Sequence, residues 1–365
     1  MKKRVIVFGH HPSVTGGVGN FLRIFTEVQP SDVELEIFVN GRRENENSNL
    51  LKIVRLAGDY LRFAFLLISA RPSLVHFNPT MDRTSFPREA LFMLMARLFG
   101  VRYLIFFRGW EWEAFSVLFT KTDLISWLCK SSIKDATAIL VLADIFRVKL
   151  VEKLPSAKAT IVSTMFDGRL IDRTRDKNFD NLVMLFMSRF IPAKRGDQVI
   201  KAFADILAKY PRSRLIMAGD GPEMRHWRAL ASDLVLDPER VSFTGHIGSH
   251  KKREALDAAN VFVLPTEHAE GLPNALLEAM GAGMIPLTTE AGGTFEVMKD
   301  GRYGVCLSSS EASEIVRAVN QIMLDPSNTA LWSTEIKDYA WEHFEANVVR
   351  SRLHEIYRDI LGSPN

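Results

Sequence analysis

Glu270 and Glu278 lie on either side of a Gly-Leu-Pro turn in EHAEGLPNALLEAMGAGMIPLTTEAGG, residues 267–293. Proline suits the first helical position, where its missing N–H would have no partner anyway, so a helix is expected to start near Pro273. The amides of Asn274, Ala275 and Leu276, with the preceding Gly271-Leu272 turn, would then form an anion site at the positive end of that helix. Gly271 lets a ligand come close to the backbone. Glu278 follows Asn274 by one turn on the same face, whereas Glu270 stays on the loop. A diphosphate at the amides would have a carboxylate on each side, and carboxylates accept well from hydroxyl groups. The spacing fits a nucleotide sugar, with ribose on one side and hexose on the other. Taken as an isolated acid pair, the same residues read more simply as a dipole-capping Glu270 and a solvated Glu278.

Such a site needs a strand before it and a sheet beneath it, and the pattern supplies both. VFVLPTE reads as a strand ending near Glu267, and MIPLTT as the next one. Earlier in the chain, short apolar runs alternate with helical stretches. RVIVFG (4–9), VELEIFVN (33–40), SLVHFN (73–78), RYLIFFRG (102–109), ATAILVLAD (136–144) and ATIVSTM (159–165) read as strands. NFLRIFTEV, LLKIVRLAGDYLRFAFLLISA (50–70) and PREALFMLMARLFG (87–100) read as helices. The polar segment 167–181 is the expected linker, and alternation restarts with LVMLFMSRF (182–190), DQVIKAFADILAKY (197–210) and SRLIMAGD (213–220). The last stretch is an amphipathic helix with a cap at Asn347. Alternation of this kind implies right-handed βαβ units on parallel sheets, whose ligands sit beyond the carboxyl ends of the strands.

The 365 residues exceed one ordinary core, so two α/β domains are expected. Residues 1–180 hold 26 Lys+Arg against 19 Asp+Glu, while the whole chain carries only +3. A basic first half and a mildly acidic second half point to different partners. No Lys/Arg-rich run or nucleic-acid motif occurs, so nucleic acid is not expected. The two cysteines lack disulfide or CxxC spacing, which fits a reducing cytoplasm. The apolar run of MKKRVIVFGHH is too short for a secretory leader and reads as a first strand. No stretch reaches the ~18 uncharged apolar residues of a spanning helix. The chain has no D-x-D motif or ligand-like histidine cluster, so no metal and no cofactor beyond a donor substrate are expected.

From Glu270 to Val305, EGLPNALLEAMGAGMIPLTTEAGGTFEVMKDGRYGV resembles the signature of retaining GT-B glycosyltransferases of family four, E-G-[FL]-[PG]-x-x-x-x-E followed by A-x-x-x-G-x-P and a later G-G. MSRFIPAKRGDQVIKAF is similar to the family's G-R-[LF]-x-x-x-K-G segment, which puts Arg189 and Lys194 where the donor diphosphate is clamped. LIMAGDGPEMR (215–225) and VSFTGHI (241–247) resemble two further stations, the second bringing the backbone near His246 and Ile247 to the nucleobase. GHHPSVTGGVGNFL (9–22) resembles the family's Gly-rich loop, in which Gly16, Gly17 and Gly19 would let backbone approach the donor. Many members carry histidine after the fourth strand; here LIFFRGWEWE has Arg108, which the resemblance pairs with a phosphate or an acidic sugar. His76 is a second family-like position that equally fits a core histidine. Trp110 and Trp112 fit an acceptor platform or ordinary packing.

The resemblance implies two Rossmann-like domains facing across a cleft. Residues 1–170 would form the acceptor domain, with a helix at about 346–365 packing back on it, and 171–345 the donor domain. It implies retaining, metal-independent transfer from a nucleoside-diphosphate sugar to a glycan or lipid-linked acceptor, with Arg189, Lys194 and Glu270 nearest the chemistry. Glu278 would hold the ribose. A sugar-nucleotide epimerase of the same fold and a catalytically silent binding partner remain open. The basic first half, with apolar-basic helices around 61–71 and 91–102, fits a cytoplasmic chain peripheral on the inner face of a membrane; buried helices explain the same apolarity.

Overall fold

The computed structural model describes residues 2–9, 16–40, 49–268 and 271–362. The chain divides into two compact units, Met1–Thr164 with Val349–Asn365, and Met165–Val348.

In the first unit the strands are β1 (Lys3–Gly9), β2 (Val33–Val39), β3 (Leu74–Phe77), β4 (Thr80–Met81), β5 (Tyr103–Phe106), β6 (Gly109–Trp110), β7 (Ala138–Val141) and β8 (Ala159–Ile161). The helices are α1 (Gly17–Thr26), α2 (Asn49–Ala70), α3 (Ser85–Leu98), α4 (Trp112–Thr120), α5 (Leu124–Asp135) and α6 (Asp144–Lys153). Six strands form one parallel sheet in the order β2-β1-β3-β5-β7-β8. The runs of β3 and β5, LVHF and YLIF, are buried at every position, as strands covered on both faces must be. Phe8, Phe38, Phe63, Phe77 and Phe92 interlock in this core. The expected strand 102–109 is broken: Arg108 N–H turns to donate to Pro79 O, and Gly109–Trp110 pairs with Thr80–Met81 as a separate two-stranded ribbon.

The second unit contains β9 (Val183–Met187), β10 (Arg214–Ala218), β11 (Val241–Gly245), β12 (Val261–Leu264), β13 (Ile285–Thr289) and β14 (Val305–Leu307). Its helices are α7 (Gly196–Lys209), α8 (Met224–Asp233), α9 (Ser249–Ala258), α10 (Asn274–Gly281), α11 (Thr294–Val297), α12 (Ala312–Ile322) and α13 (Pro326–Phe344). The sheet order is β11-β10-β9-β12-β13-β14, all parallel. After β9 the chain steps outward through β10 and β11, then returns to place β12 on the other side of β9. The reversal puts the loops after β9 and β12 side by side, at the switch point where ligands of open α/β sheets bind.

The single helix expected at the C-terminal end is two. It breaks at Glu345, whose backbone is extended, before α14 (Ala346–Gly362) begins. The Glu345 carboxylate accepts from Asn347 N–H at 2.8 Å, so Glu345 performs the capping expected of Asn347.

Candidate functional site

Arg189 and Lys194 lie on the loop that leaves β9, and a neighbouring turn fixes that loop. Phe190 N–H donates to Asp220 O at 2.8 Å, and Glu223 N–H donates back to Phe190 O at 3.0 Å. The close approach requires glycine on the β10 side. A Cβ on Gly219 would fall 1.9 Å from the Ser188 carbonyl oxygen, and one on Gly221 2.4 Å from that of Phe190. Both also have strongly positive φ, 152° and 153°. The Gly-Asp-Gly-Pro turn therefore shapes the loop that carries the cations.

The loop after β12 is tied to the same place. Glu267 N–H donates to Ala193 O at 2.8 Å, and the buried Thr266 hydroxyl reaches the same oxygen at 3.3 Å. Arg195, next to Lys194, ties its own loop to two others: its guanidinium contacts Glu311 at 2.7 Å and Ser310 Oγ at 3.1 Å in one, and Glu267 at 3.2 Å in the other. Arg195 is thus a structural strut, whereas Arg189 is exposed. Lys194 is only 6% exposed. Burial, and after it the charge of Arg189, lowers its pKa to about 8.

Beyond the loop, α10 begins one residue later than the sequence predicts. Pro273 is extended (φ −68°, ψ 121°) and caps the helix, which starts at Asn274. Gly271 and Leu272 are buried, and Gly271 O accepts from Gly293 N–H at 2.9 Å, anchoring the turn against the Gly-Gly segment after β13. Pro273, Asn274 and Ala275 are partly exposed, while Leu276 is buried. Glu270, expected beside the reacting sugar, lies outside the described residues.

The reading of Glu278 as a solvated residue is corrected. It is 2% exposed and pairs with Lys252 of α9 at 2.8 Å. Lys252 was not foreseen; it stands in the charged stretch HKKRE at the start of α9. Its pairing joins α9 to α10, and α9 follows directly on His246, which is exposed, and Ile247, which is buried. The loop bearing Arg189 and Lys194 is thus tied to Glu267 at the end of the β12 loop, and Glu278 ties α10 to α9, which follows the β11 strand.

In the first unit, Gly17 and Gly19 sit in the first turn of α1 rather than on a free loop, and residues 10–15 lie outside the described residues. A Cβ on Gly16 would meet nothing within 4 Å. His76 is fully buried, with Nδ1 2.5 Å from the Tyr357 hydroxyl. Burial, then the Arg108 charge, lowers its pKa to about 3, so the ring is neutral. The platform expected of Trp110 is corrected: at 1% exposure it stacks on Phe146, with centroids 4.9 Å apart. Its indole is core, and only Trp112 of the pair is exposed.

Residues 169–338 match the family model described as glycosyl transferases group 1. The GDP-mannose-dependent alpha-(1-6)-phosphatidylinositol monomannoside mannosyltransferase of Mycolicibacterium smegmatis is 28% identical over 196 residues, 52% of this chain and 51% of that protein. The lipopolysaccharide core biosynthesis glycosyltransferase LpsE of Rhizobium meliloti is 30% identical over 199 residues, 54% and 55% of the two chains. The chain thus spans about half the length of these relatives. Among solved structures, sucrose-phosphate synthase from Thermosynechococcus elongatus superposes with a TM-score of 0.79 at 16% identity, covering 100% of both chains. Anabaena Alr3699/HepE in complex with UDP-glucose gives 0.72 at 14% identity, over 98% of this chain and 99% of that one. At such identities the likeness is one of fold.

Proposed function

We propose, for a chain that has the GT-B fold, resembles the glycosyltransferases of family four and matches the group 1 model over residues 169–338, that it transfers a glycosyl group from a nucleoside-diphosphate sugar to an acceptor hydroxyl. The observation that carries the reading is the bond from Glu267 N–H to Ala193 O. It joins the loop bearing Arg189 and Lys194 to the loop that opens α10, so two cations and the positive end of a helix share one corner. A departing diphosphate is the group such a corner stabilises.

In this reading the bond from the sugar's anomeric carbon to the diphosphate oxygen breaks, and a bond from the acceptor oxygen to that carbon forms on the same face, with retention. The acceptor's proton passes to the departing diphosphate. Arg189 and Lys194 hold the charge that accumulates there, without need of a metal. Glu278 holds the ribose hydroxyls and Glu270 those of the donor sugar. Relatives named for GDP-mannose transfer and a fold neighbour bound to UDP-glucose support a UDP- or GDP-sugar donor.

Binding of UDP and GDP, and of their sugars, to the full chain by calorimetry tests the donor site. The free chain loses the Lys194 proton above about pH 8, whereas an adjacent diphosphate keeps it on. Binding therefore takes up a proton at pH 8.5–9, and affinity falls by up to about tenfold per unit as pH rises beyond 8. Affinity that does not change with pH contradicts the assignment of Lys194. Release of nucleoside diphosphate only when an acceptor is present separates transfer from epimerisation.

We also place this activity at a membrane surface, in the synthesis of a cell-surface polysaccharide or glycolipid. No described helix is long and apolar enough to cross a membrane. Helix α2 nevertheless exposes Leu50, Val54, Leu61, Phe65 and Ile68 along one face, with Phe63 and Leu67 turned inward. Lys52, Arg55 and Arg62 on the same helix, and Arg71 just after it, outnumber Asp59, with which Arg55 and Arg62 pair, and the excess positive charge suits anionic lipid. Flotation with anionic liposomes at low salt is expected to carry the wild type, and Leu61→Glu with Phe65→Glu to lose most of that binding. Failure of the wild type to bind, or concentration-dependent self-association in its place, overturns the membrane reading.

A further inference from the structure

The turn from α12 to α13 and the first residue of β14 bound a cavity of about 210 Å³ in the second unit. Val305 of β14 and Ile322 at the end of α12 give it an apolar side. Trp332 of α13 is half-buried in its wall, and the indole is fixed there because Nε1–H donates to Arg302 O at 2.7 Å. Gln321, Asp325 and Asn328 also line the cavity and are exposed. β14 runs parallel to β13, so Val305 marks the amino end of the sheet. The loops after β9 and β12 leave from the opposite, carboxyl end.

The turn is rigid without help from most of these polar groups. Asp325 Oδ1 accepts from Asn328 N–H at 3.1 Å, and Thr329 Oγ1 donates to Ile322 O at 2.7 Å. The second Asp325 oxygen and the side-chain amides of Gln321 and Asn328 make no hydrogen bond among the described residues. Leu324 and Leu331, next in the chain to Asp325 and Trp332, are 79% and 67% exposed. A fixed aromatic wall with idle polar groups beside it can bind without first being reordered.

The types of group select the ligand. The face of an indole is the negative part of its quadrupole and attracts the C–H groups on the flat side of a sugar ring. Two carboxamides both donate and accept, and a carboxylate accepts strongly from hydroxyl groups. Among the described residues no lysine or arginine lines the cavity, and Asp325 repels anions. A purely apolar occupant would take water from three polar groups and return nothing. The volume falls below the ~300–1,000 Å³ of sites for drug-sized ligands, which leaves room for one ring and not for a nucleotide.

We propose that this cavity is a second saccharide site, which takes one neutral hexose unit of a glycan with its ring on Trp332 and its hydroxyls on Gln321, Asp325 and Asn328. Its place at the amino end of the sheet separates it from the donor corner, so it would hold a glycan chain away from the reacting end. The inference rests on the transferase reading only for calling that glycan an acceptor or product.

Indole N–H resonances of the full chain, labelled with nitrogen-15, test this directly. The Trp332 signal is identified among those of the six tryptophans by its absence in Trp332→Phe. Neutral trisaccharides of glucose, mannose and galactose are the probes, with glycerol as the simple polyol control. At least one trisaccharide is expected to shift the Trp332 signal saturably in the millimolar range, the affinity suited to a single ring. Glycerol is expected to leave the signal in place. Gln321→Ala combined with Asn328→Ala changes only exposed side chains, so it serves even if the Trp332 variant fails to fold. It is expected to weaken the response about tenfold. No saturable shift with any trisaccharide, an equal response to glycerol, or undiminished binding by the double variant overturns the proposal. UDP and GDP measured alongside report on the donor corner, and their affinity is expected to be the same in the double variant. If they fail to bind while the trisaccharide response persists, the transferase reading falls and the saccharide site stands.

Discussion

Lys194→Ala is expected to lower kcat about 100- to 1,000-fold with whichever donor stabilises the wild type, while donor affinity falls far less. The split between the two parameters follows from where charge develops. In the proposed complex the diphosphate would already carry most of its charge in the ground state, shared among Arg189, the α10 amides and water. As the glycosidic bond breaks, further charge moves onto the leaving oxygen, and a buried ammonium stabilises that change more than a solvated one does. Lys194 is buried beside Arg189, an environment that holds its pKa near 8 in the absence of ligand. Arg189 is exposed, so Arg189→Ala should affect binding and turnover more evenly. Steady-state kinetics on both variants measures this. A Lys194→Ala enzyme with unchanged kcat and a raised KM would assign the residue to simple binding.

Glu278→Gln is expected to weaken nucleoside diphosphate binding about 10- to 100-fold, the range for a hydrogen bond to a buried charged group. The substitution keeps the volume but removes the charge, so Lys252, 2.8 Å away, loses its counter-ion. Some loss of stability follows, because half of a buried pair is left behind. Lys252→Met separates the two effects. It breaks the same pair yet leaves the carboxylate available to a ribose diol, so it should melt lower while retaining much of the nucleotide affinity. Equal loss of nucleotide affinity in both variants would mean that Glu278 serves only to hold α9 against α10.

Much of the second unit could be read from residue order. The apolar runs of β9, β10, β12 and β13 are too continuous for surface helices, and the Gly-Leu-Pro turn marks the start of α10 to within one residue. What escaped were contacts between segments distant in the chain. Lys252 lies between the exposed Lys251 and Arg253, and nothing in that charged run marks it as the one the helix turns toward Glu278. Arg195 stands beside Lys194 in the sequence, but its left-handed backbone (φ 56°) accompanies a guanidinium turned to Glu311 and Ser310, a role that residue order does not show.

The first unit was legible in its strands and less so at its strand ends. Hydrophobic patterning cannot tell a core tryptophan from a sugar platform, and Trp110 proved to be core because the β4–β6 ribbon folds it onto Phe146. Nor does an arginine in an Arg-Gly turn announce its burial between Phe21 and Phe106. The break at Glu345 was missed because the apolar spacing continues across it, although an acidic side chain can cap a helix as asparagine can.

A crystal structure of the full chain with UDP or GDP bound tests the central claim most directly. The account predicts diphosphate oxygens within about 2.7–3.2 Å of Arg189, Lys194 and the first-turn amides of α10 at Asn274–Leu276, with the ribose against Glu278. A diphosphate seated elsewhere, with Arg189 still turned to solvent and Lys194 making no contact with it, would contradict the account.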